Sequence, residues 1–204
     1  MGIYGEWVVP HLIACAMRNP ELAAYRQRIV PAARGRVLEI GIGSGLNLPL
    51  YGPGVTEIIG LDPSHKLIGM AGERARTAPK RISLLESSAE AIPLDAASVD
   101  TVVTTWTMCS IPNASAALSE MRRVLKPGGD LLFVEHGRAP EPSVARWQDW
   151  LDPVWKPVAG GCHLNRPIAD LITGAGFKLV DLRTGYAGRP RAFKFMYEGA
   201  ARPG

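Results

Sequence analysis

Residues 36–47, Arg-Val-Leu-Glu-Ile-Gly-Ile-Gly-Ser-Gly-Leu-Asn, decide the fold. An apolar run of strand length, Val37 to Ile40, passes straight into three alternating glycines, Gly41, Gly43 and Gly45. Glycine allows a left-handed turn and lets main-chain N–H groups approach a bound molecule closely, and a helix starting behind such a loop would add its positive end. A dinucleotide loop of the Gly-x-Gly-x-x-Gly type needs its third glycine at position 46, where Leu46 stands. A second apolar run, Glu57 to Leu61, ends in Asp62. An acidic side chain about twenty residues beyond a glycine loop is placed to accept the hydroxyls of a ribose. Glu39, just inside the end of the first run, would repel a pyrophosphate and tolerate a ligand carrying an amine or sulfonium cation. These features predict a nucleoside-containing, cationic cofactor.

Outward from this stretch, apolar runs alternate with helical patterns. Strands are expected at 57–61, 82–85, 98–105 and 130–135, with helices after Pro63 and over 114–125. Residues 46–50 are expected to open a short crossover helix that ends by Gly52-Pro53-Gly54. Helix 168–173, strand 177–182 and strand 192–197 complete the chain. The alternation predicts an α/β Rossmann-like sheet of seven strands, mostly parallel, with helices on both faces and an antiparallel last strand. Ligands of such sheets bind where the strand order reverses, beyond the ends of the first and fourth strands. That rule brings Thr105, Trp106 and Cys109 to the floor between cofactor and substrate.

The motifs Glu39-x-Gly41-x-Gly43-x-Gly45, Gly60-Leu-Asp62-Pro63-Ser64, Ala89-Glu90-x-Ile-Pro93 and Arg123-Val-Leu-Lys-Pro127-Gly128-Gly129 resemble those of the class I S-adenosylmethionine-dependent methyltransferases. The likeness spans roughly residues 30–137. Glu135-His136, Trp147, Pro153-x-Trp155-Lys156 and Gly160-Gly-Cys162-x-Leu-x-Arg166 are similar to a narrower branch, the methyltransferase-like thiol methyltransferases. The resemblance implies S-adenosylmethionine as cofactor and S-adenosylhomocysteine as product, with Glu39, Gly41, Gly43, Ser44, Gly45, Asn47, Asp62, Pro63, Ser88, Ala89, Glu90 and Thr105 around it. Ser88 stands where the family usually has the Asp that holds the adenine amino group. Its hydroxyl can still accept a hydrogen bond, and the backbone of Ala89 can meet the adenine edge.

Methyl transfer from a sulfonium is an in-line displacement that asks mainly for positioning and exclusion of water. An acceptor thiol has an unperturbed pKa near 8.5, so a few per cent is already thiolate at neutral pH, and a nearby imidazole or cation raises that fraction. His136, after the fifth strand, and His163, beside Cys162, are the expected catalytic imidazoles; each has a structural alternative. Trp106, Cys109, Trp155, Cys162 and Arg166 are the expected acceptor-side residues. A small thiol is the first acceptor, with an amine or phospholipid head group at a membrane surface as the alternative. A non-catalytic module that keeps the cofactor site is a further one, as is a nicotinamide oxidoreductase.

At 204 residues the chain fits a single domain. Residues 1–34 read as a helical cap beside the cofactor site, with apolar Trp7, Val8, Leu12, Ile13 and Met17 at helical spacing and Asn19-Pro20 opening a second helix. The Trp- and Pro-rich stretch 137–166 reads as an insertion that forms a substrate lid. Net charge is +4, but the basic residues are scattered among acids, which argues against a nucleic-acid partner. Three widely spaced cysteines, Cys15, Cys109 and Cys162, offer no Cys-x-x-Cys pair, so no metal site is expected from spacing and a reducing compartment is. A cytoplasmic location follows as the expectation, with peripheral membrane contact through the N-terminal segment.

Overall fold

The computed structural model describes residues 9–204, with side chains from residue 11 onward; the expected cap contacts of Trp7 and Val8 lie outside the described residues. Seven strands form one sheet in the order β3-β2-β1-β4-β5-β7-β6: β1 (Gly35–Ile40), β2 (Val55–Asp62), β3 (Arg81–Glu86), β4 (Val99–Thr105), β5 (Leu125–His136), β6 (Phe177–Tyr186) and β7 (Phe195–Pro203). The first five pair in parallel, and β7 runs antiparallel to both β5 and β6. This is the expected Rossmann-like architecture, and β1 and β4 lie side by side at the reversal of strand order.

The central strands are apolar on both faces, which explains their near-continuous Val, Ile and Leu runs. Alternate residues point to opposite faces. Leu38, Ile40, Val102, Leu131 and Phe133 build one core with Leu118 and Met121 of α4 (Ala114–Val124) and Ile168 and Ile172 of α6 (Ile168–Gly174). Val37, Ile58, Val103 and Leu132 build the other with Val30, Leu48, Tyr51 and Ala71 of α3 (His65–Ala75). Glu39 therefore shares the face of Val37, beneath Tyr51.

The N-terminal cap consists of α1 (Val9–Ala16) and α2 (Pro20–Ile29), the latter capped by Asn19, whose Oδ1 accepts from the Glu21 N–H at 2.9 Å. Two expectations need correction. No α-helix follows the glycine loop: only a 3₁₀ turn, Leu48–Leu50, joins β1 to β2. Pro49 removes a donor, and the few residues before Gly52 cannot repay the nucleation of an α-helix. Most of the 137–166 insertion, read from the sequence without a helix, is α5 (Pro142–Val158), seventeen residues long. Pro153 and Pro157 both lie on its exposed side, so the missing ladder bonds fall toward water. Its buried side is anchored by Gln148, which accepts from the Ala139 N–H at 2.8 Å and donates to the Gly137 carbonyl at 2.9 Å. Among the described residues no helix is long and apolar enough to cross a membrane.

Candidate active site

A cavity of about 310 Å³ opens at the ends of β1, β2 and β4. That volume lies in the range of small-molecule sites. The glycine loop forms its floor. The N–H groups of Gly41 and Ile42 both donate to the Leu61 carbonyl, at 2.7 and 3.1 Å, which folds the loop back over the end of β2. Gly41 has φ +66°, and a Cβ there would run into the Thr107 side chain, so this position requires glycine twice over. Arg74 of α3 donates to the Ser44 carbonyl and pins the loop's far side.

Three polar groups dominate the walls. Glu39 is buried; it accepts from Asn47 Nδ2 at 2.9 Å and from the Tyr51 hydroxyl at 2.7 Å. Burial pushes its carboxyl up to about 7, against the pull of the Tyr51 and Asn47 hydrogen bonds. Asp62 accepts from the Gly43 N–H at 3.0 Å and the Ser64 N–H at 2.9 Å, so it ties the glycine loop to the start of α3. Burial raises its carboxyl too, moderated by those two N–H groups. Arg26 reaches in from α2, 4% exposed, its guanidinium 4.7 Å from the centre of the Trp106 ring. Burial lowers its pKa, and the nearby Glu39 carboxylate counters this.

Asn47 joins the two strand ends, since its Nδ2 also donates to Thr105 Oγ1 at 3.1 Å, while its buried Oδ1 has no hydrogen-bond partner among the described residues. Gly43, Ser44, Pro63, Ser88, Ala89, Thr105 and Trp106 also line the cavity. Gly45 sits just behind, at φ +78° against Leu48 and Ala71. Glu90 does not line it: its Oε1 turns to the Asn113 N–H, 2.5 Å away at the start of α4.

The turn after β4 forms a further wall of the cavity. Trp106 adopts φ +53° and donates its N–H to the Val134 carbonyl at 2.7 Å. Glu135, fully buried, holds the next residues: its Oε1 accepts from the Thr104 hydroxyl at 2.9 Å and from the N–H groups of Thr107 and Met108 at 2.9 and 3.1 Å. Burial outweighs these donors and raises its pKa.

Behind that wall three expected residues converge. His136 Nε2 lies 2.7 Å from Cys162 Sγ, and Cys109 completes a group whose ligand atoms all fall within 4.8 Å of one another. The hydrogen bond with Cys109 and burial push the Cys162 thiol up. Arg166 donates to the Met108 carbonyl beside this group, and burial lowers its pKa.

Two expectations land elsewhere. His163 Nδ1 pairs with Asp152 Oδ2 at 2.9 Å and lies outside the cavity wall, because the Asp152 carboxylate on α5 also takes the Leu164 N–H at 2.6 Å and fixes this loop. Trp155 packs edge-on against Phe193, ring centres 4.9 Å apart, and anchors α5 to the body rather than lining the cavity. Of the 137–166 segment only Gly160 reaches the cavity.

Residues 38–133 match the family described as a methyltransferase domain. Over 175 residues the chain is 33% identical to thiol S-methyltransferase TMT1A of Homo sapiens, an alignment that covers 82% of this chain and 70% of that protein. The chain belongs to the S-adenosylmethionine-dependent methyltransferases. It is also 34% identical over 167 residues to thiol S-methyltransferase TMT1B of Rattus norvegicus, covering 80% of this chain and 66% of that one. This methyltransferase chain thus spans about two thirds of the length of these curated relatives. In fold it is similar to the N-methyltransferase NodS from Bradyrhizobium japonicum, solved with S-adenosylhomocysteine, with a TM-score of 0.73, 17% identity and 98% of each chain covered.

The buried, orphaned Asn47 Oδ1 and the acid–base pair Glu39 and Arg26 fit the family's cofactor, an amino acid joined to a nucleoside. Arg26 and Glu135 were not singled out as site residues in the sequence. The signal for Arg26 is its place in the cap, and for Glu135 an acid at the end of an otherwise apolar strand, within the Glu135-His136 motif.

Proposed function

We propose that this protein transfers the methyl group of S-adenosylmethionine to a small thiol. The observation that carries the cofactor half is the charge pattern of the cavity. Glu39 is the counter-charge for the amino group of the methionyl part, Arg26 for its carboxylate, and Asp62 for the ribose hydroxyls. Ser88 and Ala89 take the adenine edge. When bound, the cofactor supplies a methyl group on a positive sulfonium. The chain's own work is to hold and to dry the site. Asn47 locks the ends of β1 and β4 together, Glu135 fixes the turn that carries the acceptor wall, and Trp106, Ile111 and Pro112 close it to water.

The thiol half is supported by two relatives that carry thiol S-methyltransferase names and by the group of Cys109, His136, Cys162 and Arg166 next to the acceptor wall. A second reading, an acceptor presented at a membrane surface, is favoured by exposed apolar side chains: Leu12 and Ile13 on α1, and Trp147, Trp150, Val154 and Val158 on α5. Incubation with labelled S-adenosylmethionine and a panel of thiols, amines, phenols and phospholipid vesicles separates the two. Label in thiols is the expected result. Label in vesicle lipids with thiols unlabelled would replace the first reading by the second.

A further inference from the structure

We propose that Cys109, His136 and Cys162 form a zinc site with three protein ligands and a fourth position open to the acceptor thiol. This rests on the thiol reading given above for its catalytic role, but not for the existence of the site.

The three side chains come from separate parts of the fold: the turn after β4, the last residue of β5 and the loop after α5. Zinc bonds of ~2.3 Å to sulfur and ~2.0–2.1 Å to imidazole nitrogen, set at tetrahedral angles, give ligand-to-ligand edges of ~3.5–3.8 Å. The observed group, with every pair of ligand atoms within 4.8 Å, reaches that shape when the 2.7 Å His136–Cys162 edge opens. Its supports are fixed. The His163 N–H donates to the Cys109 carbonyl at 2.9 Å, so the loop bearing Cys162 is stitched to the turn bearing Cys109. Asp152 holds the same loop through Leu164, and His136 is paired with Met196 of β7.

The donor set points to the metal. Two thiolates and one imidazole are soft donors that select zinc over calcium or magnesium, and three protein ligands with a free vertex are the pattern of a catalytic rather than a structural zinc. Without a metal, sulfur is a weak hydrogen-bonding atom, so the polar contacts within the trio stabilise the fold little. Cys109 is buried and His136 and Cys162 are half-buried, and Ser110, next to Cys109, and Gly160, two residues before Cys162, belong to the cavity wall. The site thus adjoins the cavity on the acceptor side.

A thiol bound at the open vertex gives up its proton to solvent and remains a nucleophile. Its sulfur pair forms the new S–CH₃ bond as the sulfonium C–S bond breaks and leaves its pair on the sulfur of S-adenosylhomocysteine. The product thioether is neutral and a weaker ligand, so it departs.

The test is cobalt titration of chelator-treated full-length protein in phosphine reductant, in a Cys15→Ser background that removes the exposed thiol. One equivalent of cobalt with a thiolate charge-transfer band, displaced by zinc, is expected. Cys162→Ser and, separately, His136→Ala should weaken binding at least tenfold. A missing band in the Cys15→Ser protein, or a band that persists in both variants, overturns the site. Turnover of thiols at full rate after chelation overturns its catalytic role and leaves the thiol reading standing. A zinc-loaded protein that labels no thiol overturns the thiol reading and leaves the site in place.

Discussion

Glu39→Gln is the substitution whose effects on stability and on cofactor binding run in opposite directions. Glu39 is buried and its carboxyl is raised from 4.5 to about 7, chiefly by burial. Without cofactor, ionising it costs about 3 kcal/mol, from about 1.4 kcal/mol for each of those pH units. The folded chain then binds more protons than the unfolded one between pH 4.5 and about 7. Wild-type stability is therefore fully present below the lower value, falls as pH rises through this window, and levels off above it. Glutamine removes that cost and weakens one of the two hydrogen bonds to Asn47 and Tyr51, a loss of about 1 kcal/mol. At pH 8 the cofactor-free variant should be more stable by about 1–2 kcal/mol, about 2–8 °C in melting temperature, and at pH 5 no more stable than wild type. Binding runs the other way. The carboxylate facing the methionyl ammonium contributes about 1.5–3 kcal/mol, so the variant should bind S-adenosylmethionine about 10–100-fold more weakly. Wild-type affinity should rise with pH up to about 7, because the cation favours the ionised Glu39. Thermal melts from pH 5 to 8.5 with calorimetry at pH 7.5 read both effects. A variant that is equally stable at pH 8, or that keeps its affinity, would refute the role assigned to this buried acid.

Arg26→Gln removes the cation above Trp106 and should weaken S-adenosylmethionine about tenfold while leaving adenosine affinity unchanged, which competition binding can read. His136→Ala should lower methyl transfer to a thiol by at least tenfold with cofactor affinity intact; steady-state kinetics beside calorimetry distinguish this from a packing role, in which both constants would hold. Gly41→Ala places a Cβ against Thr107 at φ +66°, so it should destabilise the chain by about 1–3 kcal/mol and lower cofactor affinity, as denaturant melts and calorimetry would record.

The sheet was legible because its signals are local. Apolar runs, the glycines at 41, 43 and 45, and Asp62 are each decided by neighbours in sequence, and chirality then leaves few ways to assemble βα units. The missing helix after the loop shows where local reading stops: a glycine loop between two strands leads one to expect a crossover helix, and the shortness of the link and Pro49 reduce it to one 3₁₀ turn. Helix α5 was hidden for a different reason. Its two prolines and four tryptophan and valine residues on the outer side mask the anchoring face of Ala145 and Gln148. Cys109, His136 and Cys162 were each visible, but their meeting depends on β4, β5 and the α5 loop ending at one point, which no spacing rule encodes. Arg26 was invisible because the spacing in α2 does not tell which side of the helix overhangs the cavity.

The central claim is that the cavity between Glu39, Arg26 and Asp62 is the cofactor site. Titration calorimetry with S-adenosylmethionine on the wild type and on Asp62→Ala tests it most directly. One equivalent bound by the wild type, weakened at least tenfold by the substitution, is the result the structure predicts. No binding by the wild type, or equal binding by both, would contradict it.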